Sequence, residues 1–147
     1  MNKKIIAKNL LGIICIFSMS SLVVVLMPLT ELIPENAGKV FGFIIGILFW
    51  ISLIGGIVAY LRLYKRCRVI IQESIGKCRS PLIVFFSNPV AKVIDLILIT
   101  SIIVNITFMT LVNPPAFLIW FGIFTFVTSL YLHFLLNGRI FKYIITK

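Results

Sequence analysis

The sequence predicts an all-α, polytopic membrane protein with four transmembrane helices and both termini in the cytosol. Three observations lead there. Of 147 residues, 61% are hydrophobic and 12% charged, whereas a soluble domain is closer to half apolar and a quarter charged. The apolar residues fall in blocks of about 20, the length that crosses a hydrocarbon core of about 30 Å. The basic residues gather at those block ends that would share one side of a bilayer.

The first span is expected over 10–29, preceded by Lys3, Lys4 and Lys8. A basic start and an apolar middle are also signal-peptide features. The apolar stretch is too long, however, and no small-x-small cleavage site follows, so a retained anchor is expected. Pro28 and Pro34 bracket a short connection whose Glu31 and Glu35 are read as solvated charge. The second span covers 40–63. Small residues recur four apart in the pairs Gly42 and Gly46, Ser52 and Gly56, and Gly55 and Ala59, the spacing that lets helix backbones approach closely in lipid.

A cytosolic loop, 64–88, opens as a helical extension. Tyr60, Tyr64, Cys67, Ile71 and Ile75 recur three or four apart with the charges mostly opposite, which suits a helix end lying in the headgroup layer. Gly76 is the expected stop, and the apolar run 82–86 is too short to span. The third span, 89–112, has a clear start, with Asn88 as cap and Pro89 at the first helical position. Asn113-Pro114-Pro115 breaks it. A fourth span follows at once over 116–137 with Gly138 as its stop, so the third and fourth spans form a tight antiparallel hairpin.

Orientation follows from the basic residues. In this topology Lys39 alone lies outside, against 13 on the inner side, and such an excess marks the cytosolic face. That face is expected to attract anionic lipid. The formal net charge of +10 therefore reads as membrane flanks and not as a nucleic-acid surface, since no recognition module is present. Isoleucine and lysine dominate over alanine and arginine, pointing to an AT-rich bacterial genome and a multi-pass protein of its cell membrane. Cys15, Cys67 and Cys78 form no C-x-x-C pair and are expected reduced.

Ionisable residues within spans are functional candidates, and here they are Asp95 and His133. Asp95 lies 19 residues before Pro114 and His133 lies 19 after it, so in a hairpin turning there both sit at one depth. Three readings are open for the pair. It is a structural clasp between helices; or Asp95 pairs locally with Lys92 and snorkels; or the pair handles protons, histidine being the side chain that titrates near neutrality. The same arithmetic sets Ser101 opposite Thr128, Asn105 near Thr125, and Lys92 level with Asn137. Ser101, Asn105, Thr125 and Ser129 are candidate polar packing residues; on the fourth span Thr125, Ser129, His133 and Asn137 follow an i, i+4 ridge that drifts about 40° per step around the helix.

One histidine and four acids, without a phosphate loop or paired cysteines, leave little for catalysis, metal or cofactor binding. No cofactor is expected. The chain resembles the four-helix small multidrug exporters in size and helix count alone. Those exporters carry a membrane-embedded glutamate in span one, where this chain is uncharged. Two functions are weighed: a non-catalytic accessory, regulatory or immunity-type protein, and an oligomeric proton-coupled transporter using Asp95. A homo-oligomer or a membrane-protein partner fits either.

Overall fold

The computed structural model describes residues 2–75, 85–111 and 114–146. Five α-helices are present among them: α1 (Lys3–Leu26), α2 (Glu35–Ile75), α3 (Pro89–Thr110), α4 (Ala116–Leu136) and α5 (Arg139–Ile145), with a 3-10 turn, Met27–Leu32, between α1 and α2. Four segments are long and apolar enough to cross a membrane: Lys3–Leu32, Glu35–Ser74, Pro89–Thr110 and Ala116–Leu136. Gly76, Cys78, residues 82–84 and Asn113 lie outside the described residues.

Local chemistry sets the helix ends. Asn2 caps α1 by accepting from the Lys4 N–H, satisfying one of the donors that a helix start leaves unpaired. Pro28 enters the 3-10 turn at its start, where a missing N–H costs nothing. Glu35 opens α2 and binds Lys39 at 2.6 Å, both side chains largely exposed. This is an ordinary i, i+4 surface pair in a place favoured by the helix dipole. Asn88 caps α3 by accepting from the Ala91 N–H at 2.9 Å, with Pro89 following it.

The helices form two hairpins, α1 with α2 and α3 with α4, joined along α1 and α4. Across the described residues the lateral order is therefore α2, α1, α4, α3, and α3 approaches no helix but α4. Phe17, 1% exposed, is the hub of α1, α2 and α4. Its ring stacks on Tyr131 of α4 at 5.4 Å and 5°, and a Cβ on Gly56 of α2 would stand 2.7 Å from it. Gly56, of the Ser52 and Gly56 pair, thus packs against α1. Gly46, by contrast, has nothing within 4 Å of the place its Cβ would take.

The bundle is closed at its basic end. Ile6 and Leu10 of α1, Leu63, Cys67 and Ile71 of α2, and Ile140 of α5 share one buried cluster. The stripe from Tyr60 to Ile71 continues α2 without a break, as the expected helical extension, and packs on α1 and α5. Cys67 is fully buried, not a loop residue. The short α5 was not expected at all. Arg139 donates to the Tyr64 hydroxyl at 2.9 Å, and Lys3 donates to the Thr146 carbonyl at 2.6 Å while lying over the Tyr143 ring.

Gly138 also has a different role from the expected one. Its φ is −73° and it precedes α5, so no left-handed stop is formed. A Cβ there would run into the Tyr60 hydroxyl and the Leu135 carbonyl, and the glycine serves that close approach.

Gly56→Ala is expected to lower the unfolding free energy in a detergent–SDS titration by roughly 1–3 kcal/mol, the usual cost of overpacking. Gly46→Ala, with open space, should leave it unchanged. Equal effects at the two glycines would show that Phe17 does not seat on Gly56.

Candidate functional site

Asp95 lies on α3, two turns after the Asn88 cap, and is 0% exposed. A carboxylate cannot be held away from water without donors, and this one meets three. His133 Nδ1, from α4, lies 2.6 Å from Oδ1. Asn137 Nδ2, one turn further at the α4 C-cap, donates to Oδ1 at 3.0 Å and to Oδ2 at 3.2 Å. The backbone N–H of Phe86 donates to Oδ2 at 2.7 Å. Placing the imidazole proton on Nδ1 lets it be donated to the carboxylate, the shorter and stronger kind of hydrogen bond. The 3.0 Å approach of Asn137 Nδ2 to that nitrogen is then proximity between two donors.

The supporting residues fix these donors. Asn137 Oδ1 accepts from the Ser87 hydroxyl at 2.7 Å, which sets the direction of its amide. Asn88 donates from its amide to the Leu136 carbonyl and the Ser87 hydroxyl, both at 3.1 Å. One asparagine therefore caps α3 and ties that cap to the end of α4. Phe86 has φ of 60°, a left-handed conformation that costs a residue with a Cβ about 1–2 kcal/mol. That strain sits where the chain turns to aim its N–H at Asp95. The Phe85 ring lies 4.5 Å from the imidazole at 35° and covers it.

Of the other expected polar residues, Asn105 alone links the two helices. Its amide donates to the Gly122 carbonyl of α4 at 3.0 Å and to the Ser101 carbonyl of its own helix at 2.7 Å. Its partner is thus Gly122, one turn short of Thr125, and a Cβ at Gly122 would meet the Asn105 carboxamide at 2.7 Å. Ser101, Thr125 and Ser129 donate to Leu98, Phe121 and Phe126 of their own helices. Thr128 pairs its hydroxyl with Ser21 of α1 at 2.8 Å and not with Ser101. Thr128 precedes Ser129 by one residue and so lies about 100° around α4 from the ridge that carries Ser129. Lys92 makes no ion pair with Asp95; among the described residues the ion pairs are Glu35 with Lys39 and Asp95 with His133.

His133 also borders a cleft of about 570 Å³ between α2 and α3. Leu53 and Ile57 form one wall, Leu98 and Ile102 the other, and Phe17, Phe134 and Tyr131 the floor. The cleft exists because α2 and α3 occupy the two ends of the lateral order. Sequence reasoning missed Ser87 and the Phe86 amide, and it set Asn137 level with Lys92 without pairing it to Asp95. Asn137, four residues after His133, carried the available signal. Comparison with protein-family models, with curated proteins and with solved structures finds no match to this chain.

Asp95→Ala is expected to cost roughly 2 kcal/mol or more in an SDS titration, since it leaves three donors without an acceptor. Asn105→Ala, which removes one bond between helices, should cost about 0.6 kcal/mol. Similar losses in the two variants would mean that the carboxylate holds the hairpin no more firmly than a single amide does.

Proposed function

We propose that this chain is a non-catalytic, multi-pass membrane protein of the accessory, regulatory or immunity type, acting by binding another membrane component within the bilayer. The observation that carries this reading is the state of its intramembrane acid. Both Asp95 oxygens are occupied by donors from the hairpin itself, and the neighbouring cleft is otherwise lined by apolar and aromatic side chains. A carrier carboxylate has to release and rebind its cargo, whereas this one is held by its own fold. An apolar lateral cleft suits a hydrophobic helix, whether from a second copy or from another membrane protein.

The bilayer placement has its own support. Large apolar side chains along α2 and α3 are exposed, among them Phe43, Trp50, Ile54, Leu96 and Ile103, a surface suited to lipid and not to water. The basic ends of α1, α2 and α5 lie together, with Lys39 at the opposite end, so the proposed orientation places that basic end in the cytosol, facing anionic lipid. The runner-up, an oligomeric proton-coupled transporter using Asp95, is favoured by one observation: His133 touches both the acid and the cleft.

Proteoliposomes loaded with a pH-sensitive dye separate the two. Under the binding reading, an imposed proton gradient decays at the same rate with wild-type and Asp95→Asn protein. Proton flux that disappears in Asp95→Asn would establish the transporter instead. For orientation, single cysteines are placed at Glu35 and Lys65 in a chain whose three natural cysteines are replaced by serine. A membrane-impermeant maleimide applied to intact cells should label Glu35→Cys and spare Lys65→Cys, and the reverse pattern would overturn the topology.

A further inference from the structure

Arg62 and Arg66 stand one turn apart on α2 at the basic end of the bundle. Both are exposed, and neither has a side-chain hydrogen bond or ion pair among the described residues. Together with Asn9 of α1 they border a notch of about 430 Å³ between the two helices. Its floor is apolar, formed by Ile13, Val58 and Leu63 with Gly55 and Ala59. The two small residues keep it open, since a Cβ on Gly55 would meet only Ile16, at 3.9 Å.

The notch does not end at Gly55. The same glycine heads a second groove of about 780 Å³ that follows α2 past Ile54, Ile51 and Trp50 to Gly46 and Gly42. A polar mouth thus adjoins, at Gly55, an open apolar groove along one helix, called the channel below. From Arg62 to Trp50 the helix rises about 18 Å, close to one leaflet's share of a hydrocarbon core of about 30 Å.

We propose that this surface is a binding site for one anionic phospholipid of the cytosolic leaflet. The phosphate lies between Arg62 and Arg66, where guanidinium forks match its oxygens in geometry and charge, and the Asn9 amide donates a further hydrogen bond. One acyl chain follows the channel past Gly55 to Trp50. The charge of the mouth selects an anionic headgroup over a zwitterionic one, and the depth of the channel selects a lipid over a free phosphate. The proposal rests on the bilayer placement given above.

Trp50 lines the channel, and replacing Trp120 with phenylalanine leaves it as the only tryptophan, so its fluorescence reports the site. The full chain is reconstituted in phosphatidylcholine vesicles containing a minor fraction of lipid brominated on its acyl chains, either phosphatidylglycerol or phosphatidylcholine. Brominated phosphatidylglycerol should be enriched beside Trp50 by at least about fivefold, the attraction of a single basic residue near a membrane surface. Arg62→Gln with Arg66→Gln should remove that preference. Lys65→Gln with Arg68→Gln, which removes as much charge from the same helix, should retain it. Equal quenching by the two lipids, or equal loss in the two double variants, overturns the site while leaving the bilayer placement intact. Quenching by neither lipid overturns both.

Discussion

A carboxylate with no exposure, on a helix whose outward side chains are mostly apolar, must be answered on every side by donors. In this protein that demand organises the α3–α4 hairpin. His133 and Asn137 answer from α4, and the Phe86 amide answers from the segment before α3, at the cost of a strained backbone. Ser87 and Asn88 then hold the donors in place. The α3 cap, the α4 end and the intervening turn of chain are therefore one unit. Two apolar helices gain little specificity from their apolar surfaces alone, because lipid offers equivalent contacts. The buried acid supplies a fixed depth and a fixed rotation.

The rest of the molecule shows the same economy of polar contacts. Ser21 with Thr128 marks where α1 crosses α4, and Asn105 with Gly122 marks the far half of the α3–α4 contact. The other helical serine and threonine hydroxyls with a described hydrogen bond return to their own helices and leave association to packing. Phe17 is central to that packing, filling the space that Gly56 vacates and stacking on Tyr131. The basic end is closed by α5, whereas between α2 and α3 the bundle stays open. Order and openness have one cause, since a row of four helices necessarily leaves its outer two without each other.

Depth was legible in the sequence and rotation was not. Counting outward from Pro114 placed Asp95 and His133 together, because helices joined by a short turn share their axial coordinate. The cap at Asn88 and Pro89 was legible for an equally local reason. The azimuth of each side chain was less so, and Thr128 turned out to face α1. Nothing in four blocks of isoleucine, leucine and phenylalanine states which helix neighbours which, so the lateral order and the cleft it creates were hidden. The stripe from Tyr60 to Ile71 was visible as a pattern, but its partner, α5, is only seven residues long and follows a glycine that read as an end. The Phe86 amide left no trace in composition, because any residue supplies an N–H.

The meeting of Lys3 with Thr146 joins residues 143 positions apart, and this has a consequence for assembly in time. Synthesis proceeds from the N-terminus, so the first helix emerges long before the segment that closes over its start. Until then the faces of Ile6, Leu10, Cys67 and Ile71 lack the cover of α5, and α1 and α2 can exist only as an uncapped pair. Closure of the basic end therefore follows the synthesis of α4, and α5 can dock only if α4 has delivered it to the right side. A chain with one helix mis-threaded would leave that seam exposed, recognisable to any quality-control protease that reads unburied apolar surface.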